Sequence, residues 1–354
     1  MLLKIKSFYK AETMYLVKSI ILVLALFATG GSSSGQYITK YPDIPRIDVH
    51  AHVHNNYAGI DNYLTLREMM LTNHRTDLAM WINLGRGSID SLTAKSNGRI
   101  MTCISDYTPQ RGLAHEPDEI AGYLEMGYLG YKIWHGPYYR RLDEGEEGIK
   151  YFDDPQHEPV LAAMERSGFP GASIHIADPN GPFGNRGEWC ADPVEFWRQI
   201  IGLERVLQRH PDLVLVVAHG AWLVCQDAQI DFLRYLLTTY PNLYIDLAAT
   251  FQYYHLVDHG NLRDLFITYP DRILYGTDIG SLSDRSSIAD HIERYARTFR
   301  ILETDEMVEG GFFGMNPVRG LNLPEPVLEK IYYKNAARIY PGLAERLSEL
   351  GYHP

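Results

Sequence analysis

The chain has 354 residues, of which 45% are hydrophobic, and a formal net charge of −11 at pH 7. This acidic balance, without clustered Lys and Arg, argues against a nucleic-acid-binding surface. Three scattered cysteines, Cys103, Cys190 and Cys225, exclude a disulfide framework and leave at most one bridge. The stability of the fold must therefore come from packing.

Residues 1–35 have the pattern of a secretory signal peptide. Several lysines precede an uncharged apolar run at 20–27, and small residues follow up to Gly35. The run is much shorter than the roughly 20 residues that a membrane-spanning helix needs. We expect export to the periplasm or the extracellular space, with no stable membrane span after cleavage. An uncleaved N-terminal anchor is the alternative, and Met14 is an alternative start.

From residue 46 onward, eight short apolar runs alternate with amphipathic stretches. Each run is rich in Val, Ile, Leu or Tyr, as expected of strands that are buried on both faces. The eight predicted strands lie at 46–53, 77–84, 99–106, 128–134, 172–176, 213–219, 243–248 and 272–278.

Helical patterns separate these runs. Residues 192–210 and 228–240 carry apolar side chains at three- and four-residue steps, which is typical of a helix that lies against a sheet. Pro211 and Pro241 end the two helices. Eight alternations at this length favour an α/β fold consisting of a single (β/α)8 TIM barrel over residues 36–354, with a helical cap near 325–350. The absence of a GxGxxG turn argues against a dinucleotide-binding sheet.

Two long connections follow the fourth and fifth predicted strands, at 135–158 and 177–191. Both leave the carboxyl ends of strands, where a barrel of this kind builds its active site. Connections of this length are usually functional. We therefore expect them to border the substrate.

The first strand ends in Asp48-Val-His-Ala-His, which places His50 and His52 on one face. Two neutral imidazoles that converge at a strand end are a natural start for a zinc site. The alternative for this pair alone is two polar residues at a strand exit. The pair alone therefore does not establish a metal site, and further donors from other strands are needed.

Other strand ends supply such donors: the fifth ends near His175, the sixth near His219 and the eighth near Asp278, while Lys132 lies in the fourth. Their convergence on one axial pocket makes a common metal site the better explanation. A divalent ion held by histidines and a carboxylate leaves a position for water, whose pKa falls from about 15.7 towards 7. Asp278 or His219 would then relay its proton.

The strand-end motifs resemble those of the amidohydrolase superfamily, in particular the amidohydrolase-related branch that contains aminocarboxymuconate-semialdehyde decarboxylase and 2-pyrone-4,6-dicarboxylate lactonase. The resemblance covers roughly residues 46–341. It is carried by Ile47-Asp-Val-His-Ala-His, Gly130-Tyr-Lys-Ile-Trp, Ser173-Ile-His-Ile-Ala-Asp-Pro, Val217-Ala-His-Gly, Ile273-Leu-Tyr-Gly-Thr-Asp and Tyr333-Lys-Asn-Ala-Ala-Arg-Ile-Tyr.

The resemblance implies a role for each of these residues. It makes His50, His52 and His175 metal ligands, places Asp278 on the metal or its water, and makes His219 the catalytic histidine. In two-metal relatives a carboxylated lysine at the position of Lys132 bridges the ions, and the sixth-strand histidine binds the second ion. We expect one Zn²⁺, with Mn²⁺ or a two-metal site that includes Lys132 and His219 as alternatives.

Substrate recognition is assigned to loop residues over the pocket. Arginines at 86, 140 and 186 would hold a substrate carboxylate by paired hydrogen bonds, and Trp189 would cover a ring. Solvated loop charges and aromatic packing are the alternative for Arg86, Arg140, Arg186 and Trp189.

Three functions fit the predicted site. The first is hydrolysis of an amide, lactone or ester of a small, carboxylate-bearing or cyclic substrate. The second is metal-dependent, non-hydrolytic decarboxylation. The third is a non-enzymatic exported binding protein on a retained barrel, although every expected ligand position is filled. A monomer and a homo-oligomer are both compatible with the sequence.

Overall fold

The computed structural model describes residues 37–53, 57–85, 89–105, 113, 115–135, 151–177, 193–280, 282, 287–310 and 316–354. From Ile38 onward the described residues form one compact unit.

Eight parallel strands form the central sheet. The third strand, β3, is interrupted at Cys103, so that it consists of two short segments. The strands are β1 (Arg46–Ala51), β2 (Leu78–Asn83), β3 (Ile100–Thr102 and Ile104–Ser105), β4 (Tyr131–His135), β5 (Gly171–Ile176), β6 (Leu215–Val217), β7 (Leu243–Asp246) and β8 (Ile273–Leu274).

The strands pair in chain order, and the interruption in β3 changes its partner. Its first segment pairs with β2 and its second with β4, while Cys103 donates its N–H to the carbonyl of Asn83 at 3.0 Å. Pairing then continues through β8. Beyond β8 the backbone N–H of Asp278 donates to the carbonyl of His50 at 3.0 Å, and the backbone N–H of His52 donates to the carbonyl of Ile279 at 2.8 Å. These bonds join the last strand to the first and close the barrel.

A helix follows each strand and covers the barrel from outside. The eight helices are α1 (Tyr57–His74), α2 (Ile89–Lys95), α3 (Ile120–Glu125), α4 (Glu158–Ser167), α5 (Pro193–Arg209), α6 (Asp227–Thr239), α7 (His259–Thr268) and α8 (Ile288–Glu303). This order confirms the predicted (β/α)8 architecture. Among the described helices, none is long and apolar enough to cross a bilayer.

The predicted helical stripes face the sheet. Along α5 the apolar side chains at three- and four-residue steps are all buried, namely Phe196, Ile200, Leu203 and Leu207, and most of those along α6 are buried too. Phe232 differs because it is half-buried and contacts Trp197 of the neighbouring helix edge to face, at 5.3 Å between ring centroids. Each fully buried Leu or Ile side chain contributes about 1.5–3 kcal/mol through removal of apolar surface from water.

The chain ends in a closing segment that packs against the amino-terminal end of the barrel. After a two-stranded ribbon, β9 (Met307–Val308) and β10 (Val318–Arg319), it forms α9 (Glu325–Glu329), a π-turn at Lys330–Lys334, α10 (Asn335–Ile339) and α11 (Leu343–Glu349).

A buried ion pair anchors this closing segment. Arg46, at the start of β1, lies 3.0 Å from Glu303 at the end of α8, and both side chains are inaccessible to solvent. Tyr332 donates its hydroxyl to Glu303 at 2.9 Å and places its ring below the guanidinium of Arg46. The polar network at this end is structural, which leaves the opposite end of the barrel for the predicted site. Cys103 and Cys225 are buried free thiols, and Cys190 lies outside the described residues.

Candidate functional site

The carboxyl ends of the strands bring the predicted donors into one cluster. His50 lies in β1 and His52 directly follows it, His175 lies in β5, and His219 lies in the turn after β6. The ring centroids of His50 and His52 are 5.3 Å apart, those of His50 and His219 are 5.0 Å apart, and those of His175 and His219 are 4.9 Å apart. These four histidines therefore share the pocket that the sequence predicts.

Asp278 completes the cluster after β8. Its Oδ1 lies 3.4 Å from Nε2 of His50 and 3.1 Å from Nε2 of His52. Among the described residues, His50, His219 and Asp278 offer donor atoms that all lie within 4.8 Å of one another. Nδ1 of His175 lies 3.4 Å from Nε2 of His219. The tightest group thus includes His219, while His52 and His175 flank it.

The hydrogen bonds fix which ring nitrogens are available for a metal. Nδ1 of His50 donates to Oδ2 of Asp246 at 2.8 Å, and Nδ1 of His219 donates to the carbonyl of Ala248 at 2.8 Å. A neutral imidazole that donates from Nδ1 carries its lone pair on Nε2. The lone pair of His50 therefore faces the carboxylate of Asp278. In these forms both atoms are acceptors, so this donor set fits a divalent metal.

Burial keeps the two central histidines neutral. Burial, reinforced by His175 and His50, lowers the pKa of His219 to about 3. Burial also lowers the pKa of His50, although Asp246 opposes it. Burial alone would raise the pKa of Asp278. The hydrogen bond from His52 and the nearby rings of His50 and His219 outweigh burial and hold the pKa of this carboxyl well below its usual range. Neutral imidazoles and an ionised carboxylate are the forms that bind metal.

Asp246 at the end of β7 was not among the predicted site residues. Its side chain is fully buried and accepts three hydrogen bonds, from Nδ1 of His50 and from the backbone N–H groups of His219 and Ala248. Burial would raise its pKa, but the His50 ring and the His219 peptide outweigh burial and lower it. The position of an acidic residue at a strand end was the signal that could have found it.

Left-handed backbone follows each of the last four strands. Ala177 after β5, His219 after β6, Ala249 after β7 and Asp278 after β8 have φ values of 59°, 59°, 55° and 62°. After β6 the conformation continues through Trp222. Non-glycine residues adopt it at a cost of about 1–2 kcal/mol each. These torsions turn the chain at the strand exits and direct the side chains of His219 and Asp278 towards the cluster.

Lys132 and Trp134 lie on β4 beside the histidines. Nζ of Lys132 donates to the hydroxyl of Ser173 at 3.0 Å and lies 4.4 Å from the ring centroid of Trp134. Trp134 stacks on His175 at 5.8 Å between centroids. Burial lowers the pKa of Lys132 to about 8, although Asp246 and Asp278 favour its charged form. Trp134, which the sequence did not mark as a site residue, thus contacts the rings of His52 and His175 on one side of the cluster.

Asp48 links the first and last strands below the cluster. It accepts hydrogen bonds from the backbone N–H of His50 at 3.0 Å and from the hydroxyl of Tyr295 at 2.6 Å, as well as from Thr277. Burial raises the pKa of Asp48 to about 7 in spite of these bonds. Its contacts hold the backbone of His50 but touch no imidazole ring.

A small cavity of about 50 Å³ lies beside Asp278, between the ends of β7 and β8 and the helix α8. Arg294, Arg297, Phe251 and Gln252 contribute to its lining. Nη2 of Arg297 is buried and has no hydrogen-bond partner among the residues that the structure describes. The predicted substrate-binding residues Arg86, Arg140, Arg186 and Trp189 all lie outside the described residues, so these predictions stay untested.

We expect acid to destabilise the metal-free protein through His219. Because its folded pKa of about 3 lies below the ordinary value of 6.5, the unfolded chain takes up a proton that the folded protein does not bind. The stability linked to the neutral ring is full above pH 6.5 and falls by up to about 1.4 kcal/mol per pH unit between pH 6.5 and 3. Urea unfolding of the wild type and of His219→Gln between pH 5 and 8 measures this difference.

The comparison with His219→Gln is needed because Asp48 acts in the opposite direction. Its raised pKa gives stability that is present below pH 3.8 and lost as the pH rises through about 7. This contribution is common to the wild type and the variant, so it cancels in their difference. Parallel stability curves for the two proteins would contradict the assignment of a depressed pKa to His219.

The sequence profile of one known family, described as amidohydrolase, matches residues 136–342, which is more than half of the chain. None of the curated proteins compared matches the chain.

Three solved structures are similar to this chain. A 2,6-dihydroxybenzoate decarboxylase in complex with 2,6-dihydroxybenzoate is 15% identical, with 84% of this chain and 99% of that chain covered and a TM-score of 0.50. A dihydroxybenzoic acid decarboxylase from Polaromonas sp. JS666, with manganese and 2-nitroresorcinol bound, is 14% identical, with 86% and 99% covered and a TM-score of 0.50. An uncharacterised TIM-barrel protein from Bordetella bronchiseptica is 15% identical, with 87% and 100% covered and a TM-score of 0.48. For the two decarboxylases, at these identities, the similarity shows a shared fold alone.

Proposed function

Because the chain belongs to the amidohydrolase family, we propose that it is a metal-dependent hydrolase acting on the carbonyl of an amide, lactone or ester. Family membership supports an enzyme that uses a divalent metal and a small-molecule substrate. The finer assignment to hydrolysis depends on the chemistry of the strand-end cluster.

One observation carries the proposal. The lone pair on Nε2 of His50 faces Oδ1 of Asp278 at 3.4 Å, and Nε2 of His52 lies 3.1 Å from the same oxygen, while Nε2 of His219 lies beside this group. Zn²⁺ suits a set of imidazoles and one carboxylate, and Mn²⁺ is the alternative. Bound there, a divalent cation supplies Lewis acidity to a carbonyl oxygen and acidifies a water.

Asp278 and His219 are the residues proposed to move protons. Asp278 is ionised at neutral pH, so it is available to accept a proton from the attacking water. Because the pKa of this carboxyl is so low, the proton is released again easily, which suits a relay to the leaving group. His219 is neutral and presents Nε2 to the same space. It can orient the water or the substrate carbonyl.

We propose a single metal because of the contacts of Lys132. Its Nζ donates to Ser173 on β5 and lies over the ring of Trp134 on β4. The described contacts of this amine are therefore with β4 and β5 rather than with the carboxylate of Asp278. Metal content per chain, measured by elemental mass spectrometry, tests this directly. A value near two equivalents would bring Lys132 and His219 into the ligand set.

The substrate is proposed to be small and to carry a carboxylate. Arg297 lines the cavity beside Asp278, its buried Nη2 has no hydrogen-bond partner in the described part of the chain, and burial lowers the pKa of this guanidinium. An arginine in this condition is stabilised by an anion. Arg297 therefore joins Arg86, Arg140 and Arg186 as a candidate for carboxylate recognition.

Decarboxylation is the second candidate. Its support is that two solved structures of the same fold are dihydroxybenzoate decarboxylases. The same donors would hold the metal for that reaction, and His219 would face the carbon that loses its carboxyl group. A shared barrel hosts many reactions, so the products must decide between the two.

The deciding experiment is turnover in ¹⁸O-labelled water. The zinc- or manganese-loaded protein is incubated with panels of carboxylate-bearing amides, lactones and esters and of aromatic carboxylic acids, and products are analysed by mass spectrometry. Label in the product without release of carbon dioxide supports the hydrolase. Release of carbon dioxide without label overturns it in favour of the decarboxylase. No turnover of either panel by the metal-loaded protein favours a non-enzymatic binding protein.

We also propose that the protein is exported, on the basis of the basic and apolar pattern of residues 1–35. We expect the mature protein from the periplasm or the medium to begin near residue 36. Intact-mass measurement after expression in a bacterial host checks this. Recovery of the full-length chain in the cytoplasm contradicts the proposal, and recovery of the full-length chain in the membrane fraction indicates an uncleaved anchor.

A further inference from the structure

We propose that Asp246 is a positioning residue that keeps a proton off the metal-facing nitrogen of His50 and fixes the direction of His219. The proposal rests on the metal-binding part of the proposed function, but its first test uses neither metal nor activity. Nothing in the strand-end pattern assigned a role to this residue, and its importance follows from its contacts alone.

The two oxygens of Asp246 have separate partners. Oδ2 accepts from Nδ1 of the His50 ring at 2.8 Å. Oδ1 accepts from the backbone N–H of His219 at 2.9 Å and from that of Ala248 at 3.0 Å. The side chain is fully buried at the end of β7. One carboxylate thus contacts an imidazole from β1 and two peptide groups that belong to the turns after β6 and β7.

The contact with His50 controls where that ring carries its proton. An ionised carboxylate only accepts hydrogen bonds, so Nδ1 of His50 must be the donor. The single proton of the neutral ring is then on Nδ1, and Nε2 is left as an unprotonated donor atom towards Asp278. Carboxylates that orient histidines in this way raise the affinity of a metal site.

The contacts with the two peptide groups control His219. Its φ of 59° is a left-handed conformation that needs support from its surroundings. The bond from its N–H to Asp246 holds this turn. The N–H of Ala248 is held by the same oxygen, and the carbonyl of Ala248 accepts from Nδ1 of His219. Asp246 therefore fixes both the backbone of His219 and the residue that sets its ring proton.

The substitution Asp246→Asn tests this arrangement with almost no change of volume. Because two peptide N–H groups face one position, the amide oxygen is expected to take the place of Oδ1, and the amide NH₂ then faces Nδ1 of His50. Two donors cannot pair, so Nδ1 becomes the acceptor and the proton of the ring moves to Nε2. The variant thus places a proton on the nitrogen that is proposed to bind the metal.

The first measurement is the ¹H–¹⁵N correlation spectrum of the histidine rings in metal-free, full-length protein. We expect His50 and His219 of the wild type to be protonated at Nδ1, and His50 of Asp246→Asn to be protonated at Nε2. A wild-type His50 that is protonated at Nε2 overturns the proposal even if the variant does not fold. So does a variant whose His50 keeps the proton on Nδ1.

The second measurement is the affinity for Zn²⁺, determined by competition with a chromophoric chelator. We expect Asp246→Asn to bind zinc about 10–100-fold more weakly than the wild type, the usual effect of losing such a partner. Asp48→Asn is the matched control, because it removes another buried carboxylate that contacts the backbone of His50 but no imidazole. We expect it to lose less zinc affinity than Asp246→Asn, because Nδ1 of His50 keeps its carboxylate partner.

The two measurements separate failure of this proposal from failure of the proposed function. Equal loss of zinc affinity in Asp246→Asn and Asp48→Asn means that removal of a buried charge, rather than the contact with His50, is responsible, and overturns the positioning role. A wild type that binds no zinc or manganese removes the proposed function. The ring protonation of His50 in the metal-free spectrum then still decides what Asp246 does.

Discussion

Replacing both histidines of β1, as His50→Ala/His52→Ala, is expected to leave the protein without bound metal and to lower its activity by about a thousandfold or more. Nε2 of each ring lies within 3.4 Å of Oδ1 of Asp278, so the double substitution removes both imidazoles from one side of the cluster. A catalytic cation contributes several kcal/mol of transition-state stabilisation, and each 1.4 kcal/mol is a factor of about ten in rate. Elemental mass spectrometry and the turnover assay measure the two effects.

The control for this experiment is a second pair of histidines outside the cluster. His255 and His259 donate to the backbone carbonyls of Gln252 and Gly320, so His255→Ala/His259→Ala removes two solvent-accessible imidazole rings without changing the strand ends. We expect this variant to keep its metal and its activity. Wild-type metal content in the His50→Ala/His52→Ala protein would place the metal elsewhere and remove the basis of the proposed function.

Asp278→Asn is expected to lower kcat by a factor of about 10²–10⁴, the range for loss of a positioned proton acceptor. Asparagine tolerates left-handed backbone, so the φ of 62° at this position adds no strain. The pKa of Asp278 lies well below its usual range, so the residue is ionised throughout the neutral range. The loss should therefore be the same from pH 6 to pH 9. Steady-state kinetics of the metal-loaded variant across this range measures it.

The metal content of Asp278→Asn distinguishes its two predicted roles. If the carboxylate acts mainly on the water, the variant retains its metal while kcat falls. If the carboxylate is an essential ligand, metal and activity are lost together. A kcat within fivefold of the wild type, with metal bound, contradicts both roles.

The barrel and its strand order could be predicted from the sequence because buried parallel strands and amphipathic helices have distinct hydrophobic periods. The resemblance to the amidohydrolase family, drawn from the strand-end motifs, is confirmed by the family match over residues 136–342. The structure also brings His50, His52, His175, His219 and Asp278 together. Strand ends of a barrel meet whatever the loops do, so this grouping was within reach of the sequence.

Contacts that depend on register and torsion could not be predicted in the same way. Asp246 is one acidic residue among many, and only the structure shows that its Oδ2 lies 2.8 Å from His50, which is 196 positions away in the chain. The left-handed residues at the strand exits are mostly alanine, histidine and aspartate. These residue types do not indicate a positive φ as strongly as a glycine would.

The left-handed strand exits also bear on how such a protein can diverge. They place His219 and Asp278 through the torsions of residues that immediately follow the strands, and Asp246 ties the exit of β6 to β1. Among the described residues, the proposed metal donors therefore lie at the strand ends rather than in the long connections predicted at 135–158 and 177–191. Insertions, deletions and substitutions in those connections can change which molecules are admitted while the donors remain in place. New substrate ranges can thus arise without rebuilding the metal centre.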